Sequence, residues 1–151
     1  MTVEIAVSTD IGACRALRRA VFIVEQGVSE ADEVDGRDGD AVHLLARLDG
    51  RAVGTARLMS IGGIGKIGRV CVLAECRGAG LGAALIRAAI AEFQSWPEIR
   101  KVKLGAQTHA LPFYEGLGFV ATGPEYQDAG IVHRDMEIGI ERFVHDAPIR
   151  P

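Results

Sequence analysis

Aromatic residues are scarce: they form 5% of the chain, with one Trp, two Tyr and five Phe, so a core has to be packed from aliphatic side chains. Cysteine is scarcer. Cys14, Cys71 and Cys76 are odd in number and fall into no pairing framework, which excludes a disulfide-stapled scaffold and agrees with a reducing compartment. Cys71 and Cys76 have no Cys or His close by and read as small buried hydrophobes, so no metal is expected. No apolar run nears the roughly 20 residues that span a bilayer, and MTVEIAVSTD at the start has neither the basic beginning nor the apolar stretch of a signal peptide. The expected setting is cytoplasmic, with no membrane partner. Basic charge is not in excess either. With 17 Lys and Arg against 20 Asp and Glu, the formal net charge is -3, and nothing across the sequence favours nucleic acid as a partner.

What is present suffices for one domain. A second core would leave too few of the 151 residues for either, so residues 1–145 are expected to form a single domain and 146–151 a frayed tail. Val3, Ile5 and Val7 alternate with polar residues, as in a half-buried strand. Asp10 then caps a helix whose apolar stripe is Ile11, Cys14, Leu17, Val21 and Val24, running to about Gln26 and stopped by Gly27. Residues 29–40 carry Glu30, Asp32, Glu33, Asp35, Asp38 and Asp40 against Arg37, and read as a loop or short helical turn. Asp49-Gly50 is a hairpin signal between strands at 43–48 and 51–59. A strand at 66–72 precedes a helix that begins near Leu81 and ends before Pro97. A strand at 101–106, a short helix at 111–117 and strands at 119–121 and 131–140 complete the order, which describes an α/β sheet of mixed direction.

The most informative stretch joins a strand to a helix: Arg69-Val-Cys-Val-Leu-Ala-Glu-Cys-Arg-Gly-Ala-Gly-Leu-Gly-Ala. Closely spaced glycines let main-chain N–H groups turn inward, and the helix N-terminus adds partial positive charge, so the turn suits a phosphate or pyrophosphate. Arg77 adds a fixed charge at its rim. A dinucleotide fingerprint is satisfied by Gly78, Gly80 and Ala83, but five residues separate Val72 from Gly78, and the strand at 101–106 leads into Gln107 instead of a ribose-binding acid. A P-loop at Gly62-Gly-Ile-Gly-Lys66 would need Gly at position 60 and Ser or Thr at 67, where the chain has Ser60 and Ile67.

Arg77-Gly-Ala-Gly80-Leu-Gly82 closely resembles the pyrophosphate motif of the GNAT acetyltransferases, placed after a strand and opening a helix. A second block, His109-Ala-Leu-Pro-Phe113-Tyr114-Glu-Gly-Leu-Gly118-Phe119, resembles that family's Ala-x-x-Phe-Tyr-x-x-x-Gly-Phe segment, with His109 where Asn is usual. The N-terminal Leu17-Arg18-Arg-Ala-Val21-Phe22-Ile-Val-Glu25-Gln26, then Asp35-Gly-Arg-Asp38, His43-Leu44 and Gly130-Ile-Val-His133-Arg-Asp-Met136, resemble the ElaA-like branch. The departures, at Gly27-Val-Ser and Val132, fall in the acceptor region.

The resemblance implies a single-domain GNAT-like mixed sheet of six to seven strands flanked by helices, with acetyl-CoA as co-substrate and an amine, small or peptidic, as acceptor. It implies main-chain pairing of the cofactor arm with Val70, Cys71 and Val72, and a pyrophosphate on Arg77, Gly78, Ala79, Gly80, Leu81, Gly82 and Ala83. His109 and Phe113 fall on the same cofactor side. Tyr114 would serve the departing thiolate, because a phenol is protonated at neutral pH. His133 is the favoured base among Glu25, Asp35, His43 and His133, since its intrinsic pKa lies near neutrality. Glu25, Asp35, Asp38, His43 and Tyr126 are expected to wall the acceptor pocket, where the acidic loop would suit a cation if it faces the cleft. Two other readings remain beside this one: an acyl-homoserine-lactone-synthase-like acyltransferase, and a CoA-binding sensor or interaction module. An exposed strand edge near the C-terminus would suit a homodimer.

Overall fold

The computed structural model describes residues 2–140, so the expected tail at 146–151 and the domain end at 145 lie outside the described residues. Among the described residues seven strands form one sheet: β1 (Val3–Ser8), β2 (Val42–Leu48), β3 (Arg51–Ile61), β4 (Ile64–Val72), β5 (Lys101–Gln107), β6 (Val120–Asp128) and β7 (Ile131–Gly139). Their order is β1-β2-β3-β4-β5-β7-β6, and every neighbouring pair is antiparallel except β4 and β5. The helices are α1 (Ile11–Arg18), α2 (Glu30–Glu33), α3 (Leu81–Gln94) and α4 (Leu111–Gly116).

Alternation along β2 explains why the sheet is covered on both faces. Leu44 joins α3 residues Leu85, Ile86, Ala89, Ile90 and Phe93 in the larger core, while its neighbour Leu45 joins Cys14, Leu17 and Val21 of the first helical segment in a smaller one. Successive strand side chains point to opposite faces, so α3 and α1 lie on opposite sides of the sheet. Burying each large aliphatic side chain contributes about 1.5–3 kcal/mol, and small alanines on α3 bring its backbone close. Asp10 starts α1 by accepting the Ala13 N–H at 3.1 Å.

Two elements depart from the sequence reading. The helix expected over 11–26 is α-helical only to Arg18 and continues with π winding over Arg19–Glu25. The wider winding moves later residues round the axis, and Glu25 at its end reaches Arg77 of the glycine turn. The strand expected at 119–121 runs on to Asp128, although Gly123 and Pro124 read as breakers. They sit in an irregularity: β6 pairs as far as Thr122 with Asp135 and resumes at Tyr126 with His133.

Candidate functional site

The glycine turn is built by backbone conformation. Gly78 and Gly80 have φ of +86° and +82°, and Gly80 stands immediately before α3. A Cβ at either position would meet nothing, so the left-handed backbone is what calls for glycine. The first intrahelical bond runs from the Ala84 N–H to the Gly80 carbonyl, and no side chain among the described residues caps the N–H groups ahead of it. Those donors and the helix dipole suit an anion. Arg77 is committed elsewhere: its Nη atoms reach Glu25 at 2.6 and 2.7 Å, and its Nε donates to the Val72 carbonyl at 3.0 Å. Hydrogen bonding to Arg77 lowers the Glu25 pKa, and the same bond raises that of Arg77. Glu25 therefore pairs with the turn and does not line the adjoining cavity between β4 and β5, whereas the sequence reading sets it in the acceptor wall.

β4 and β5 part beyond the turn's strand. Their parallel pairing runs from Ile64–Lys101 to Ile67–Leu104, and past Ile67 the β5-facing edge of β4 has no strand partner among the described residues. β4 also bulges there: between the pairs Thr55–Cys71 and Arg57–Gly68, Arg69 and Val70 lie opposite Ala56 alone, and Arg69 has φ +51°. A cavity of about 430 Å³ opens at this divergence, and Tyr114, His133, Tyr126, Asp35 and Val70 help to line it.

Glu33, Asp35, Arg57 and Arg69 on one wall of the cavity belong to a closed ring of six alternating charges. Arg18 meets Asp38 at 2.6 Å, Asp38 meets Arg57 at 3.1 Å, and Arg57 meets Asp35 at 2.7 Å. Asp35 meets Arg69 at 3.3 Å, Arg69 meets Glu33 at 3.1 Å, and Glu33 returns to Arg18 at 3.2 Å. That last contact is one of charge, because Arg18 Nε is off the hydrogen-bond line. Arg15 adds a seventh member against Asp38 at 3.0 Å. Hydrogen bonds from Arg57 and from Arg18 hold the Asp35 and Asp38 carboxyls, respectively, well below the usual range. Asp38 is nearly buried inside the ring and does not line the cavity, while His43 is 2% exposed with Nε2 3.0 Å from the Asp38 carbonyl. Neither presents itself to an acceptor as the sequence led us to expect. Asp35 does reach the cavity, but with its charge already matched by two arginines.

The opposite side carries the candidate proton-handling groups. Burial pushes the Tyr114 phenol up to about 12, and its ring meets Phe113 and Phe119 edge-on at 4.9 and 5.9 Å. Its hydroxyl makes no side-chain hydrogen bond among the described residues. His133 Nδ1 lies 2.7 Å from the Ile131 carbonyl, which can only accept, so Nδ1 carries the proton and the neutral ring keeps its lone pair on Nε2. The ring stacks on Tyr126 with centroids 5.9 Å apart, and Tyr126 Oη donates to Asp135 at 2.7 Å.

The remaining expected residues fall outside the cavity lining. His109 donates from Nε2 to the Gln107 side-chain oxygen at 2.8 Å, and Gln107 donates to Gln26 at 3.2 Å, a polar string across the mouth of the divergence. Phe113 is 43% exposed and its ring abuts Gly82. The Cys71 side chain turns into the smaller core, where burial pushes its thiol up to about 12, so its part in the site is limited to main chain. Sequence reasoning missed Arg18, Glu33, Arg57 and Arg69. Arg18 did leave a signal, because it shares the apolar stripe of Cys14, Leu17 and Val21, where a charge needs a buried partner.

A family model described as acetyltransferase (GNAT) domain matches residues 12–140. The uncharacterized N-acetyltransferase YjcF of Bacillus subtilis (strain 168) is 36% identical over 121 residues, 80% of this chain and 86% of that protein. Among solved structures, an acyl-CoA N-acyltransferase from Pseudomonas aeruginosa superposes with a TM-score of 0.80 at 33% identity, over 90% of this chain and 99% of that one. Escherichia coli ElaA does so with a TM-score of 0.79 at 32% identity, with the same coverage of each chain.

Proposed function

The chain belongs to the GNAT acetyltransferase family, and from that premise we propose that it passes an acetyl group from acetyl-CoA to an amine by direct attack in the cavity between β4 and β5. The observation that carries this reading is the unpaired edge of β4, which runs from the cavity beside Tyr114 to a glycine turn rich in free N–H groups. Such an edge can pair with an extended amide-bearing arm, and the turn can hold a pyrophosphate at its end. When bound, acetyl-CoA supplies an activated acyl group and a thiolate leaving group. Main-chain N–H groups of the bulged segment, within 70–72, would hydrogen-bond the thioester oxygen as charge develops. Tyr114 would donate to the thiolate. With its pKa at about 12, above the ~8.5 of an ordinary thiol, the phenol shares its proton more than it surrenders it. His133 Nε2 would take the proton from the amine, directly or through water.

The ring changes the expectation for the acceptor. Glu33, Asp35 and Asp38 are neutralised by Arg18, Arg57 and Arg69, so these three carboxylates exert little net attraction on a cation. Selection falls instead to the shape of the cavity and to the Tyr126–His133 stack. Calorimetry with acetyl-CoA, followed by thiol release across a panel of amines, tests the proposal. A chain that is folded but binds no acetyl-CoA would refute it.

A further inference from the structure

We infer that Arg69 is a positioning residue, whose side chain, through the charge ring, holds the β4 bulge in the shape that presents main-chain N–H groups to the thioester. The inference rests on the proposed placement of the thioester and adds a cause for the geometry there. Arg69 combines two features that belong together. Its backbone takes a left-handed φ of +51°, which a side chain with a Cβ rarely adopts without support. Its guanidinium supplies that support by gripping residues 32–35: Nε meets Glu33 Oε2 at 3.1 Å, and Nη2 meets the Glu33 carbonyl at 3.0 Å, the Asp32 carbonyl at 3.3 Å and Asp35 Oδ2 at 3.3 Å.

The anchors are themselves fixed. Glu33 is 4% exposed and held by Arg18, while Asp35 is held by Arg57 from the neighbouring strand. Arg57 is paired across the sheet with Gly68, the residue before Arg69. The bulge is thus pinned through the side chain of Arg69 and through the strand beside it. The same network holds the 33–38 segment, whose Glu33, Asp35 and Arg37 line the cavity, so the acceptor side and the thioester side share one scaffold.

The experiment is isotope-edited infrared spectroscopy of carbonyl-13C acetyl-CoA bound to the full chain, with CoA affinity measured in parallel. In the wild type the carbonyl stretch should fall below its value in buffer. Arg69→Ala should lose most of that shift with CoA affinity unchanged, and Arg69→Lys, which keeps the charge but not the fork, should restore part of it. Arg69→Gly tolerates the left-handed backbone but lacks the anchor, and it should behave like the alanine variant. Should the alanine variant fail to fold, the lysine and glycine variants decide. Retention of the full shift by the folded variants would overturn the role of Arg69 and leave the thioester placement standing. Absence of any shift in the wild type, with acetyl-CoA bound, would overturn the placement and this inference with it.

Discussion

The hydroxyl of Tyr126 occupies the space that a side chain at Gly105 would fill: a Cβ there would collide with Oη, which donates to Asp135 at 2.7 Å. Tyr126, on β6, reaches across β7 to β5, where position 105 is bare, and His133 stacks on it in turn.

Gly105→Ala should therefore displace the Tyr126 ring and break its bond to Asp135. Overpacking costs about 1–3 kcal/mol in a tight core, and less is expected here because Tyr126 is 37% exposed. Steady-state kinetics should show a raised KM for the acceptor with acetyl-CoA affinity unchanged. An unaltered KM with the true acceptor would place the pocket away from Tyr126.

Tyr114→Phe removes a donor and keeps the ring that packs against Phe113 and Phe119. Turnover should drop on the order of 10²-fold if chemistry limits the rate, while calorimetry finds acetyl-CoA affinity intact. Since burial pushes the phenol up to about 12, wild-type activity should show no basic limb from Tyr114 across ordinary assay pH.

The charge ring makes a prediction for stability. Asp35 and Asp38 titrate well below their unfolded value of about 3.9, so their contribution is complete above that value and is lost as the pH falls through the depressed folded values. Melting temperature should be level from pH 8 to about pH 5 as far as these groups are concerned, then decline in stronger acid. Asp38→Ala would leave Arg18, 1% exposed, short of a partner at a cost of about 3–5 kcal/mol. A melt within a degree of wild type would show that water or Glu33 substitutes for it.

Gly80→Asp would force a side chain into a left-handed position, a strain of about 1–2 kcal/mol, and set a negative charge at the N-terminus of α3. The predicted outcome is a loss of acetyl-CoA affinity of about tenfold or more, read by calorimetry on protein whose circular dichroism is unchanged. Full affinity would remove the glycine turn from the site.

Legibility in the sequence followed distance along the chain. The glycine turn and the strand–helix junction at 69–83 were readable because the residues that make them are neighbours. The succession of seven strands along the chain followed from local alternation and turn residues, whereas the placing of β7 between β5 and β6 in the sheet had no local signal. The ring was not readable, since Glu33 and Arg69 are 36 positions apart and Arg57 and Asp35 are 22 apart. The acidic residues of 30–40 stood out, but their partners did not, and a carboxylate seen without its arginine reads as free charge. His43 misled for a similar reason: a histidine at a strand start looks available until the sheet buries it.

Because Arg18, the 33–38 segment, Arg57 and Arg69 come from separate parts of the chain, the ring can close only after α1, β3 and β4 have docked. Until then each buried charge carries a desolvation cost without its full set of partners. The ring's stabilisation is therefore expected late in folding, on the native side of the barrier. Interactions absent from the transition state slow unfolding more than they speed folding. The expected consequence of the ring is a domain slow to open once it is closed, which an unfolding rate raised in Arg69→Ala with little change in the folding rate would show.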